Sequence, residues 1–513
     1  MSTSTTTPRA AEAEAAPPTT TSWMPLAVLL SGIFITTLDF FIVNVAIPAT
    51  QADLGASAAA IQWVVAGYGL ALAASLILGG RLGDMFGRRR MFGTGMALFT
   101  VASAACGLAQ NSEQLIVARV VQGAAAALLM PQVLGLVNVV YDGARKAKAF
   151  TAYGMTIGFA AVFGQLIGGG LIAIDLFGLD WRSIFWINVP VGIAAIFLAP
   201  RCIPESRGTG GTRLDLVGAD LVVLGLVAIV LPLVQGREQG WPLWTWLSLA
   251  AAPVLLGIFV VYQRRLATRG GSPLMDVAMF RERSFSAGLA VTLSYQMAMA
   301  SFFLVLALYL QMGQGMTALR SGLLFTMLGV GYFVGAAQAG KVAAKLGRQV
   351  LALGGGLTAI GYAIIGDTVH MIGVSGSVGW LVPGFLIAGY GMGFALVPMS
   401  PIVLAGVSPR YAASAAGVLN TAQQVGGALG VAVVGIVFYD RLGGGLAAND
   451  YAHAFTWAMI PMIAFPLLTA ALVQLLPRAG AKAGARAGAG ARAESTADRN
   501  TADRDTADQR TAS

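Results

Sequence analysis

Gly80–Arg90 reads GRLGDMFGRRR, a short, strongly basic turn between two long apolar runs. A weaker copy lies far downstream, where Gly340–Arg348 reads GKVAAKLGR. In both, a Gly that closes an apolar run is followed seven residues later by a second Gly and then by Arg: Gly80, Gly87 and Arg88 in one, Gly340, Gly347 and Arg348 in the other. The spacing predicts that Gly80 and Gly340 end helices. Two such turns in equivalent settings predict an internal repeat, two halves of similar helical design related by duplication. Asp84 has no echo, because Ala344 stands at its place.

Working outward, the flanking runs place most of the chain in lipid. Of 513 residues, 57% are hydrophobic and only 11% are charged. A soluble chain would carry about a quarter charged residues. The net charge of +9 does not imply nucleic acid as a partner, because the basic residues sit in short loops between apolar runs. Cys106 and Cys202 suggest no disulfide framework, and His370 and His453 are too isolated to suggest a metal site.

A bilayer-spanning helix needs about 20 largely apolar residues. Fourteen runs qualify, from 24–47 to 453–476, including 61–79, 92–110 and 149–173 on the way. They are too long and too uniform for barrel strands. The fold class predicted is an all-α polytopic membrane protein. An N-terminal six-helix half covers 23–200, and two extra helices with their linkers cover 201–283. A C-terminal six-helix half covers 284–477. Residues 1–22 lack the basic start of a secretory signal, and 478–513 are rich in Ala, Gly and Arg. Both are expected to be disordered tails. Loops on one side carry Arg81, Arg88–Arg90, Arg145, Lys146, Arg264, Arg265, Lys341, Lys345 and Arg410, among others. The other side carries only Arg182, Arg237, Arg320 and Arg441. The rich side is expected to be cytoplasmic, with both termini there.

These motifs resemble the major facilitator superfamily. Gly80, Leu82, Gly83, Asp84, Gly87, Arg88 and Arg89 match its loop between helices 2 and 3, while Met85 departs from it. With the extra pair, the chain is similar to the fourteen-helix drug:proton antiporter branch. Leu38–Pro48, LDFFIVNVAIP, looks like that branch's helix-1 signature, and Arg119, Gln122 and Gly123 match its Arg-x-x-Gln-Gly motif. Gly154–Leu171 resembles the antiporter motif of helix 5, with Gln165 where proline is expected between Gly164 and Gly168–Gly169. Trp181–Gly192 and Gly417–Gly430 are also similar to segments of the branch. The resemblance implies proton-coupled export of a small apolar or cationic compound, powered by the proton gradient with no cofactor.

The residues themselves support a narrower reading. An unpaired Asp39 at membrane depth is costly, so it must pair, face water or stay protonated. A carboxyl dry in one state and wet in another is suited to carrying a proton; a structural ion pair is the alternative. On a rise of 1.5 Å per residue, Arg119 lies about 7 Å and Asp39 about 13 Å from the same membrane face. A long side chain covers that difference, so Arg119 is expected to tune Asp39; snorkelling to the interface is the alternative. Asp84 can cap the next helix or pair with Arg88, which makes Gly80, Asp84, Gly87, Arg88 and Arg89 a candidate conformational latch. The arginines can equally fix topology and touch anionic lipid.

Without proline, any bend in helix 5 must come from glycines, and Gln165 is expected to add a polar group to the cavity. Asn44, Gln122, Asn420, Gln423 and Gln424 are further cavity candidates. Aromatics such as Phe159, Phe163 and Tyr332 fit a pocket, packing or lipid contact alike, and Trp181 and Trp186 fit an interfacial belt.

No phosphate-cradling loop is present, which argues against ATP as the power source. The partners expected are a small molecule, protons and the bilayer, at a bacterial cell membrane, with the monomer as the working unit. An importer or lipid and metabolite facilitator of the same fold is the alternative. A membrane enzyme is disfavoured, because no catalytic set clusters at one depth.

Overall fold

The computed structural model describes residues 22–207, 214–405, 407, 412–443 and 447–477. The two expected tails, apart from Ser22, and the loop position Arg410 lie outside the described residues.

Fourteen long helices form the bundle. They are α1 (Met24–Leu54), α2 (Ala58–Phe86), α3 (Arg88–Gly107), α4 (Ser112–Val140), α5 (Gly143–Ile174), α6 (Asn188–Cys202) and α7 (Leu216–Gln235). Then come α8 (Leu243–Thr268), α9 (Arg283–Leu308), α10 (Ala318–Leu346), α11 (Gln349–Ile372), α12 (Val382–Ala405), α13 (Ala412–Leu442) and α14 (Ala448–Leu472). A π-helical turn, Tyr309–Gly313, extends α9. Among the described residues, thirteen helical segments are long and apolar enough to cross a bilayer, α6 being counted with the turns before it from Asp180. The exception is α3, where three arginines open a helix rich in Gly, Ser and Thr.

The helices outrun the apolar runs that predict them. The sequence places the end of the second run at Gly80, but α2 continues to Phe86, and α10 passes Gly340 to reach Leu346. Gly80 and Gly340 are therefore helix-interior residues. Hydropathy falls at Arg81 and Lys341, but both are good helix formers, so the backbone carries on into the polar zone. The second glycine of each turn makes the break. Gly87 has φ +107° and Gly347 has φ +55°, a region that a side chain disfavours. Side-chain caps start several helices: Ser57 accepts from the Ala60 amide, Asn111 from Gln114 and Thr317 from Arg320.

The internal repeat is visible in the packing. In the first half α2 and α3 pack on α4, α1 packs on α5, and α6 covers α1 and α3. Adding eight to each number describes the second half: α10 and α11 pack on α12, α9 packs on α13, and α14 covers α9 and α11. Two equivalent seams join the halves, α5 against α10 and α2 against α13. The extra pair, α7 and α8, stands outside this repeat. Its first helix lies against α2 and α13, and α8 packs mainly on α7.

Backbone-level contact closes the α5–α10 seam at one end. A Cβ on Gly169 would collide with the Ala318 carbonyl, and one on Gly322 would lie 2.5 Å from the Gln165 carbonyl oxygen. Nearby, the Gln311 side-chain amide donates to the Val45 carbonyl at 2.9 Å, tying the end of α9 to α1. This end lies away from the arginine-rich turns.

Candidate functional site

Asp39 sits midway along α1, within a helix that is apolar on almost every side. Arg119 and Gln122, one turn apart on α4, reach it together. Asp39, Arg119 and Gln122 are each 0% exposed. Arg119 Nη1 forms an ion pair with Asp39 Oδ2 and also donates to Gln122 Oε1 at 2.8 Å. Gln122 Nε2 returns the contact by donating to Asp39 Oδ1 at 2.9 Å. Arg119 Nε donates to the Val64 carbonyl of α2 at 3.1 Å, and its guanidinium lies 4.3 Å from the Tyr68 ring centroid. The ring face gives the cation a partner that water would otherwise provide. The Tyr68 hydroxyl donates to the Thr36 carbonyl at 3.0 Å, which returns the chain of contacts to α1.

Two further residues complete the cage, and sequence reasoning missed both. Asn188, the first residue of α6, donates from Nδ2 to Asp39 Oδ1 and to Ser103 Oγ, each at 3.0 Å. Ser103 of α3 donates in turn to the Phe185 carbonyl at 2.9 Å. Asn188 lies inside the segment Trp181–Gly192, but a single neutral amide in an apolar run does not show what it will meet.

The carboxylate thus receives donors from α4 and α6 and is itself carried by α1. Such a charge survives in a dry interior only with its partners in place. Arg119 Nη2 and Asn188 Oδ1 are buried without a partner, so the cage is not saturated. Among the described residues of the second half, the buried polar groups are uncharged. There the Tyr295 and Thr358 hydroxyls bond at 3.1 Å, and Tyr362 stacks on Phe302 at 4.2 Å.

Gln165 does not line a cavity. It is fully buried, and its Nε2 donates to the Phe41 carbonyl at 2.8 Å, tying α5 to α1. Gly164 and Gly168 lie against Phe41, Ile42 and Val45 of the same helix, while Gly169 meets α10. The helix runs unbroken from Gly143 to Ile174. Asn44 is also buried and bonds the Phe41 carbonyl of its own helix at 3.0 Å. Asn420, Gln423 and Gln424 are half-buried on α13, and Gln424 Oε1 lies 3.9 Å from where a Cβ on Gly69 of α2 would sit, a position that Phe40 of α1 also borders. Trp181 is no belt residue: it is enclosed, and its Nε1 donates to Asp53 Oδ2 at 3.1 Å.

At the basic turn, Asp84 pairs with Arg88 at 2.8 Å. The cap on α3 comes instead from Glu205, whose Oε1 accepts from the Arg89 amide at 3.0 Å. Glu205 Oε2 lies 3.6 Å from Arg89 Nε, and the Arg88 amide donates to the Ser206 carbonyl at 2.8 Å. A Cβ on Gly83 would collide with the Gln132 amide of α4, and Gly80 faces Pro131. Arg81 donates to the carbonyls of Ser272, at 3.1 Å, and Pro273 in the linker beyond α8.

Among known proteins, the family model described as Major Facilitator Superfamily matches residues 29–431. A probable actinorhodin transporter of Streptomyces coelicolor is 42% identical over 84% of this chain and 75% of its own length. A puromycin resistance protein of Streptomyces alboniger is 35% identical over 88% and 91% respectively. A tetracenomycin C resistance and export protein of Streptomyces glaucescens is 32% identical over 89% and 83%. Among solved structures, a crystal structure of a peptide transporter, POT, aligns over 90% of this chain and 98% of its own with a TM-score of 0.65. At 16% identity it shows the shared fold alone.

Proposed function

The chain belongs to the major facilitator superfamily, and from that premise we propose that it exports small antibiotic-like compounds across a bacterial cell membrane in exchange for protons. One observation carries the coupling: a fully enclosed Asp39–Arg119 pair in the first half, where the buried polar groups described in the second half are all uncharged. Relatives whose names describe resistance and export of antibiotics support the direction and the substrate class.

When Asp39 is ionised, it holds Arg119, Gln122 and Asn188 around it and locks α1, α4 and α6 together. A proton on Asp39 removes the charge that opposes the guanidinium. Arg119 then keeps only neutral acceptors, so the cage loosens and the two halves can tilt about the central seams. Release of the proton restores the pair. Each proton entering down roughly 150 mV supplies about 3.5 kcal/mol, from 2.3 per 100 mV. The monomer is the working unit. The arginine-rich end faces the cytoplasm, with both termini on that side, and the Asp84–Arg88 turn acts as a latch there.

The test uses everted membrane vesicles holding the protein, an interior-acid gradient and radiolabelled puromycin, alongside a drug-susceptibility panel in a host without its own pumps. Gradient-driven uptake into the vesicles is expected, and Asp39→Asn is expected to abolish it. Undiminished gradient-driven uptake by Asp39→Asn would refute the coupling. Uptake confined to right-side-out vesicles would favour an importer.

A further inference from the structure

The repeat has two equivalent seams, and among the described residues only α2–α13 is covered. A separate apolar core fills the space where α7 lies over it. This core is built from Ala66, Leu70 and Ala73 of α2, Leu226 and Val230 of α7, and Ala428 of α13. Helix α7 therefore binds both halves along its length, and among the described residues the α5–α10 seam has no such cover.

At the end away from the arginine-rich turns, the loop after α7 adds polar contacts of the same kind. Glu238 Oε1 accepts from the Ala59 amide at 2.7 Å, and Oε2 accepts from Ser57 Oγ at 3.3 Å. Both partners lie at the first turn of α2, where free backbone amides and the helix dipole favour a carboxylate. The neighbouring residue reaches the other half. Arg237 Nη1 donates to the Tyr439 carbonyl of α13 at 3.4 Å, and its guanidinium lies 5.5 Å from the Tyr439 ring centroid. Adjacent residues with opposite charges thus hold opposite halves.

The loop is wound tightly enough to transmit force between them. Gly240 and Trp241 both take positive φ, +69° and +55°, and the Trp241 amide donates to the Gly236 carbonyl at 2.7 Å. Trp244 Nε1 also closes on Gln239 Oε1 at 3.0 Å. A non-glycine residue held at positive φ persists only where its surroundings impose it.

We propose that the α7–α8 hairpin is a strap across the α2–α13 seam, and that Arg237 and Glu238 form a clasp that must release before this end of the transporter opens. The clasp biases the resting population toward the closed end. The core under α7 keeps the hairpin attached through the cycle. This assigns the extra helix pair a role that the twelve repeated helices lack. It rests on alternating access but not on proton coupling or on the identity of the compound carried.

The closing experiment reads conformation directly. Gln62 of α2 is buried at this end of the seam, where a Cβ on Gly435 of α13 would lie 2.8 Å from Gln62 Oε1. In full-length protein with Cys106 and Cys202 replaced by serine, a single Gln62→Cys reports opening through its rate of labelling by a membrane-impermeant maleimide. Each of these part-buried or exposed polar contacts is of modest strength, so Arg237→Ala or Glu238→Ala is expected to raise the rate about three-fold, and the double variant about ten-fold. Arg320→Ala at the same end is the control for loss of surface charge, with no change expected. Monodisperse elution and retained binding to vesicle membranes show that each variant is folded. Unchanged labelling in the double variant, or an equal rise in the Arg320 control, would overturn the clasp. Because labelling needs neither substrate nor gradient, a transporter that proved uncoupled to protons would leave this result standing.

Discussion

Arg119 gives the clearest prediction at the scale of single residues. Removing one partner of a buried pair leaves the other charge stranded, at a cost of about 3–5 kcal/mol. Arg119→Ala is therefore expected to lower the melting temperature in detergent more than Asp39→Asn combined with Arg119→Ala, although the latter removes more of the cage. Thermal unfolding of the single and double variants measures this coupling. Additive losses would show that the carboxylate and the guanidinium do not depend on one another. Asp39 and Arg119 were legible because intramembrane charges are rare, and helix rise alone brought them to similar depths. Gln122 was visible as a motif residue, but its direct bond to Asp39 Oδ1 was not. Asn188 and Ser103 carried no such mark. A neutral amide in an apolar run signals nothing until the tertiary fold brings it to a carboxylate, as it does for Asn188 of α6.

At the scale of elements, α5 shows how neighbouring glycines differ in kind. The Ala318 carbonyl of α10 collides with where a Gly169 Cβ would sit, its carbon 2.8 Å away, and backbone of α5 crowds Gly322 in the same way. Gly170, the next residue along, has nothing within 4 Å of its Cβ position. Backbone cannot turn aside as a side chain can, so Gly169→Ala and Gly322→Ala must push α5 and α10 apart. Overpacking of this sort costs about 1–3 kcal/mol. Both variants are expected to melt earlier and to lose most of their transport, whereas Gly170→Ala keeps both. Equal behaviour of Gly169→Ala and Gly170→Ala in a melting and transport series would remove close approach as the reason for the motif. The sequence showed that small residues gather here, but not which of them touch the other half. It also suggested a cavity role for Gln165, which instead ties α5 to α1. A polar side chain inside a membrane helix can satisfy itself on a backbone carbonyl next door, and its type does not say which side it faces. The ends of α2 and α10 were misjudged for a related reason. An apolar run records the thickness of the bilayer, whereas a helix stops where the backbone is broken, at Gly87 and Gly347.

At the scale of the whole molecule, duplication was the most legible feature, since two glycine-arginine turns already implied two halves. The packing extends this to every helix pair, with an offset of eight that skips the extra hairpin. What the sequence could not show is that the two seams differ, because cover by α7 is a matter of placement and not of composition. If the halves move as bodies, a covalent link across a seam must stop the cycle, while a link inside one half must not. Val162 of α5 packs on Gly329 of α10, whose Cβ position lies 3.1 Å from Val162 Cβ, close to disulfide reach. Within the second half, a Cβ on Gly427 of α13 would lie 3.4 Å from Ala300 Cβ of α9, also close to disulfide reach. Oxidation of Val162→Cys/Gly329→Cys, in protein freed of Cys106 and Cys202, is expected to abolish transport, with recovery on reduction. The Ala300→Cys/Gly427→Cys pair is expected to form its cross-link and keep transporting. Transport that survived a complete link between α5 and α10 would mean that these halves do not separate at this seam, and that the moving elements lie inside a half.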